Sequence, residues 1–253
     1  MEWEAAALVL SAAPYGEGAA VVHVLSEDHG LHRGLVRGGF SRANAALWQA
    51  GNLVRVRWRA RLSEQLGQFS GELIHASGAR LLDHPLAMSM LTSCCALADG
   101  ALPEREPFPD LFLDLVRLVS KLSLDPGWVE TGGMAALLRW EVALLACSGF
   151  GLDLERCAVT GATQGLALVS PRSGRAVTAD AAGEWKDRLL VLPPCLSDAD
   201  AAGNPADWLA GLALTGFFLG RDAFGQRHLP LPAARERLFE RVRAMDSPNA
   251  TPA

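Results

Sequence analysis

The residues best placed to do chemistry lie between Leu53 and Arg61, in the run LVRVRWRAR. Arg55, Arg57, Arg59 and Arg61 occupy the odd positions, and Val54, Val56, Trp58 and Ala60 the even ones. A strand turns successive side chains to opposite faces, so this alternation predicts a strand with one packed face and one guanidinium face. Residues two apart on a strand stand roughly 6.5–7 Å from one another, close to the phosphate spacing along an extended nucleic-acid backbone. Four cations at that spacing repel, and a polyanion or bulk water relieves the repulsion. The chemistry implied is charge neutralisation along a polyanion, with no bond made or broken.

The surroundings point the same way. Arg33, Arg37 and Arg42 precede the run, and no Asp or Glu falls anywhere from Arg33 to Arg61. The chain as a whole carries −5, whereas residues 1–80 hold eight Arg against seven acids, net +1, which leaves −6 for the remainder. Such asymmetry suggests a nucleic-acid face on an otherwise acidic protein. The competing reading is a solvated edge strand whose cations block aggregation. Aromatic stacking is the usual companion of phosphate contacts in single-strand binding. Phe40, beside Gly38-Gly39, is the candidate for exposure; Trp48 is a second, and Trp58 belongs with the core by its even position.

Other chemistries find less support. His23, His29 and His32 lie near Asp28 and could be read as the metal site of a hydrolase, but the spacing is loose. There is no GxxxxGK[ST] phosphate loop and no GxSxG elbow, so neither ATP hydrolysis nor serine-type catalysis is expected, and the chain reads as a non-enzyme. The five Cys form no regular framework, which fits reduced thiols in a cytoplasmic setting. The acidic start, MEWEAAALVL, does not read as an export signal, and no long uncharged apolar run suggests a membrane span.

The elements that must position these residues fall into two textures. Residues 1–80 read as five short strands separated by glycine-rich turns: Trp3–Ala12, Ala20–Leu25, Leu31–Val36, Leu53–Leu62 and Gln68–Ala76, with a short helix after Ser41. Five strands in about 75 residues suit a small closed barrel, and an OB-fold is the leading candidate. From residue 81 to 245 the pattern is helical. Helices are expected over Leu86–Ala98, Asp110–Leu122, Gly132–Cys147, Asn204–Gly220 and Pro232–Met245. The first is apolar nearly all round and should be buried; the last mixes Arg235, Arg237, Arg241 and Arg243 with Glu236 and Glu240 and reads as a solvated face. Residues 155–195 form a Gly- and Thr-rich insert that reads as hairpins, and 246–253 as a disordered tail. The fold class is therefore α+β, a barrel followed by a helical domain. Arg117, Lys121 and Arg139 are the basic residues on otherwise apolar helices and are the candidates for holding an acidic partner segment.

Taken in order, several short motifs carry a resemblance. They are Tyr15-Gly16-Glu17, His29-Gly30-Leu31, Val36-Arg37-Gly38-Gly39, Gln49-Ala50-Gly51-Asn52 and Ala60-Arg61-Leu62 with Glu64-Gln65-Leu66. Arg139-Trp140-Glu141, Ser170-Pro171-Arg172-Ser173-Gly174, Leu214-Thr215-Gly216 and Leu231-Pro232-Ala233-Ala234-Arg235 continue it. With these the chain resembles the RecO family of bacterial recombination proteins over nearly its whole length. The resemblance implies an OB-fold, a helical domain and a small zinc-ribbon-like insert. It further implies binding of single- and double-stranded DNA, strand annealing, and mediator work at the nucleoid. In that work RecR and the C-terminal tail of single-stranded-DNA-binding protein are partners, and RecA is loaded as the outcome. A protein-interaction scaffold working through RecR-like partners, with little DNA affinity of its own, is the alternative. Many members hold zinc with two CxxC pairs; here those positions are Cys157, Thr160, Thr178 and Ala181. One thiolate cannot build a tetrahedral site, so no zinc is expected.

Overall fold

A computed structural model of the chain describes residues 1–39, 41–62 and 64–246, apart from the side chains of Arg42 and Ala43. It has two compact units, Met1–Pro126 and Gly127–Ala253. The architecture is α+β, as the sequence implied.

In the first unit five strands close into a barrel: β1 (Glu2–Tyr15), β2 (Ala19–Ser26), β3 (Gly30–Arg37), β4 (Leu53–Arg59) and β5 (Gln68–His75), in the order β1-β2-β3-β5-β4. The long β1 is shared. Glu2–Leu8 pairs antiparallel with β4 and Ala7–Tyr15 with β2, the latter ladder shifting register at a bulge between Val9 and Ser11. Closure on the other side is short and parallel, at Leu35 and Gln68. The even positions of β4 enter the barrel, where Val54, Val56 and Trp58 meet Val9, Val22, Val24 and Phe69. Gly34 leaves room there: a Cβ on it would lie 2.5 Å from the Phe69 ring. The short helix α1 (Arg42–Leu47) follows β3, and the Ser41 hydroxyl accepts from the Asn44 amide at its N-terminus. The strand β4 is shorter than expected and stops at Arg59, so Arg61 lies beyond the ladder.

Two helices complete this unit, α2 (Pro85–Ala101) and α3 (Pro109–Leu124). The apolar α2 is buried along most of its length. It packs on β1, with the Cys95 thiol 3.9 Å from the Val9 carbonyl. Burial pushes the Cys95 thiol up to about 12, so it stays protonated. At the β2–β3 turn Gly30 has φ +61, and a Cβ there would strike the Glu106 carbonyl at 2.0 Å; only glycine allows both the turn and the close approach.

The second unit is built on α4 (Met134–Cys147), the insert, α7 (Pro205–Phe218) and α8 (Ala233–Asp246). The insert holds a three-stranded sheet of β6 (Leu166–Val169), β7 (Ala176–Thr178) and β8 (Leu190–Val191), with short helices α5 (Ala179–Ala182) and α6 (Pro194–Ser197). Asn204 and Asp207 form a reciprocal cap at the start of α7, with Pro205 in its first turn.

One expectation for α8 is corrected. Arg235 is not on a solvated face: it is 1% exposed and pairs with the fully buried Glu141 on α4. Its Nε donates to Glu141 Oε1 at 2.6 Å and its NH2 to the Leu212 carbonyl at 2.8 Å, and the Thr215 hydroxyl donates to Glu141 Oε2 at 2.5 Å. The helix continues through Asp246, and the remainder of the expected tail lies outside the described residues.

Candidate nucleic-acid interface

The period of β4 turns Arg55, Arg57 and Arg59 outward, between β1 on one side and β5 on the other. Cross-strand register sets three rows: Glu2–Arg59–Gln68, Glu4–Arg57–Ser70 and Ala6–Arg55–Glu72. Directly opposed residues in an antiparallel ladder share a face, so each arginine has one carboxylate beside it. Arg59 Nε lies 2.9 Å from Glu2, and Arg57 NH2 lies 2.7 Å from Glu4 with its Nε 3.5 Å from Glu2. The hydrogen bond from Arg59 holds the Glu2 carboxyl below its ordinary range, and the bond to Glu4 raises the Arg57 guanidinium. The arginine side chains stay half or more exposed, Arg57 at 50% and Arg59 at 65%.

The row is therefore outward and solvated, as its period requires, but it is not free of carboxylates. The acids come from β1, at the start of the chain, and from β5, the strand that follows β4. Strand pairing carries them alongside. The signal was present in part, because Glu2 and Glu4 have the same spacing of two as the arginines they face.

The remaining candidates are dispersed. Arg33 projects from β3 and pairs with Glu104, which follows α2. Arg37 is exposed at the end of β3, in one row with Ala19 and Tyr15. Tyr15 is 58% exposed and is an aromatic that the sequence pattern did not single out for stacking. Arg61 is exposed and joins Arg59, Gln65, Leu66 and Gln68 around an open depression of about 890 Å³. A second depression, of about 290 Å³, is lined by Glu4, Arg55, Arg57, Ser70, Gly71 and Glu72. The two lie end to end along β4. Trp48 and Trp58, each 3% exposed, belong to the barrel core and offer no stacking face. Phe40 and the Arg42 side chain lie outside the described residues.

The three histidines do not assemble. His23 Nδ1 sits 2.5 Å from Asp99, His29 stacks on Trp3, and His32 is buried edge-on to Trp3 and Trp58. Among the described residues no group of three or more His, Cys, Asp or Glu could hold a metal ion.

Of the residues considered for an acidic partner, Arg117 pairs with Asp114 on the exposed side of α3, one helical turn from Lys121. Arg139 belongs to the second unit. Its guanidinium donates to the carbonyls of Cys195, Asp198 and Ala201 at 3.0, 3.0 and 3.1 Å, tying α4 to the end of the insert. Its donors serve the fold.

The four positions that correspond to zinc ligands do come together. The Thr178 amide donates to Cys157 Sγ at 3.4 Å, the Thr178 hydroxyl lies 3.8 Å from the same sulfur, and the Ala181 amide donates to that hydroxyl at 3.4 Å. Chiefly the Thr160 hydroxyl, with burial opposing and backbone amides assisting, brings the Cys157 thiol down to about 6. Only one of the four is a metal donor of the required kind, so a structural zinc does not fit. Cys157 packs instead with Leu168, Val177 and Ala182.

Comparison with known proteins accounts for nearly the whole chain. Residues 1–77 match the family model for the N-terminal part of recombination protein O, and residues 83–229 match that for its C-terminal part. A protein named DNA repair protein RecO from Gluconacetobacter diazotrophicus is 62% identical over 245 residues, covering 97% of this chain and 96% of the relative. The proteins of that name from Granulibacter bethesdensis and Rhodospirillum centenum are 52% and 48% identical, over 97% of both chains and 100% of both chains respectively. With both halves matched in order and a relative 62% identical over nearly its full length, the chain belongs to the RecO family.

Proposed function

We propose that the chain is a non-enzymatic DNA-binding mediator of recombinational repair, and that its outer β1–β4–β5 face takes the phosphate backbone of single strands. The observation that carries the reading is the line of exposed guanidinium groups on β4, with two depressions running along it. Arg55, Arg57, Arg59 and Arg61 contact phosphates, with Arg37 and Tyr15 at one end of the barrel offering a cation and a stacking ring. Exposed ion pairs in water hold little net free energy, so phosphates can displace Glu2 and Glu4 from their arginines. Annealing follows from the same physics: guanidinium groups that exchange their carboxylates for phosphates screen two strands that otherwise repel. Duplex DNA is bound through the same term, since phosphate neutralisation is independent of sequence.

The wider role, loading RecA with RecR on gaps coated by single-stranded-DNA-binding protein, is proposed from family membership. The exposed pair Arg117 and Lys121 is proposed for the acidic tail of that protein, with Arg139 acting through the fold. We place the work at the nucleoid in the cytoplasm. Among the described residues no helix is long and apolar enough to cross a membrane. The insert is proposed to fold without zinc.

A second reading has one observation in its favour. Because a carboxylate stands in each row of the arginine face, the barrel could be a neutral scaffold working through RecR-like partners. Fluorescence anisotropy with labelled oligothymidylate separates the two. The triple variant R55A/R57A/R59A is expected to keep its circular dichroism and melting profile. Its binding weakens, and its log affinity falls less steeply with log salt, by up to roughly 2 in slope at about 0.7 per phosphate contact. Salt-sensitive binding that survives the triple substitution would move the site elsewhere; no binding at low salt by the unaltered chain would favour the scaffold.

A further inference from the structure

We infer that Glu2 and Glu4 are built-in competitors for the phosphate positions of the arginine face, so that this face binds a strand by exchanging its own carboxylates for phosphates. The inference rests on the proposed DNA-binding role of that face and adds to it the residues that set its affinity.

Three features support it. First, register alone places one acid in each row, Glu2 beside Arg59, Glu4 beside Arg57 and Glu72 beside Arg55. Three guanidinium groups are thus matched by three carboxylates. Second, contacts are formed where geometry allows: Arg57 makes two bonds to Glu4, at 2.7 and 3.0 Å, and Arg59 one ion pair to Glu2 at 2.9 Å. The acids therefore occupy guanidinium hydrogen-bonding edges that a phosphate would use. Third, the acids are solvated rather than buried, Glu2 at 45% and Glu4 at 42% exposed. An exposed carboxylate can swing away when a phosphate arrives. It then remains close to the strand and repels it over a distance shorter than the screening length.

Two consequences follow. The number of cations released from DNA on binding reflects the net charge of the face, not its count of arginines, so the salt dependence is shallower than four phosphate contacts would give. Removing the competitors should also strengthen binding without adding any new contact. A face tuned in this way grips weakly and releases readily, which suits a protein that must hold strands while they find partners.

The test compares the full-length chain with E2Q/E4Q, which keeps side-chain size and the ability to hydrogen-bond while removing two charges. A control, E130Q/E184Q, makes the same change in net charge at exposed residues of the second unit. Binding of fluorescein-labelled oligothymidylate is followed by anisotropy across a salt series. E2Q/E4Q is expected to bind about tenfold tighter near physiological salt. Its slope of log affinity against log salt should steepen by about 1.4, two single-strand phosphates' worth. The control is expected to match the unaltered chain. If E2Q/E4Q binds no more tightly than the control while R55A/R57A/R59A binds weakly, the competition is refuted and the DNA-binding face stands. If the triple arginine variant binds normally, both fall together.

Discussion

At the scale of single residues, the buried polar groups decide more than the exposed ones. Glu141 and Arg235 are 0% and 1% exposed, and a charge in that position is tolerated only with its partner in place. Arg235→Ala leaves a buried carboxylate with only the Thr215 hydroxyl, and should lower unfolding free energy by about 3–5 kcal/mol in urea denaturation. Arg235→Lys should recover only part, because a point charge cannot reproduce the two-pronged contact. His32 offers a second check. Burial, assisted by the positive charge of Arg105, lowers its imidazole to about 4 against an ordinary 6.5. The unfolded chain binds this proton near pH 6.5 and the folded chain only near 4. Stability from this site is thus complete above pH 6.5, falls as pH drops from 6.5 to 4, and then levels. The loss amounts to about 2–3 kcal/mol. His32→Phe keeps a ring against Trp3 and Trp58 and should lose that much less between pH 7 and pH 4; equal losses in both proteins would mean that His32 takes no part.

At the scale of elements, the insert brings the four positions that correspond to zinc ligands together although only Cys157 is a metal donor of the required kind. Hydrogen bonds link Cys157, Thr178 and Ala181, Thr160 reaches the same thiol, and a small apolar cluster packs around Cys157. Because the four positions still converge, restoring the donors should restore the site. T160C/T178C/A181C, with Cys157 retained, is expected to bind one zinc per chain by elemental analysis and to melt at lower temperature with chelator. The unaltered chain is expected to show neither effect, and stoichiometric zinc in it would overturn the zinc-free reading. The barrel teaches a related lesson. Alternation along β4 announces an outward arginine face, yet pairing with β1 and β5 determines what each arginine meets. Strand β1 does this for one side and, from Ala7 onward, holds β2 as well.

At the scale of the whole molecule, charge is distributed by strand neighbours rather than by segments. Net +1 over residues 1–80 against −6 beyond them reads as a basic module beside an acidic one. Within the module, however, β4 supplies the cations and β1 and β5 the anions, so the outer face is nearly balanced. The compact units, Met1–Pro126 and Gly127–Ala253, also do not follow the change of texture at residue 81, since α2 and α3 belong to the unit that contains the barrel. A helix joins whichever core its apolar surface can cover, and the apolar all-round α2 needs the flank of β1.

By itself the sequence determined the five strands, their inward and outward residues, the cap at Asn204 and the family. Each depends on periodicity, on a local hydrogen bond or on residue identity, all of which are properties of a short run of chain. Only the tertiary structure decided that Glu2, Glu4 and Glu72 stand beside the arginines, that Arg139 spends its donors on three carbonyls, and that Arg235 is buried on Glu141 rather than solvated. Those outcomes belong to pairs of residues on different elements of the chain. Strand register and helix packing bring them together, and the type of either residue alone does not specify its partner.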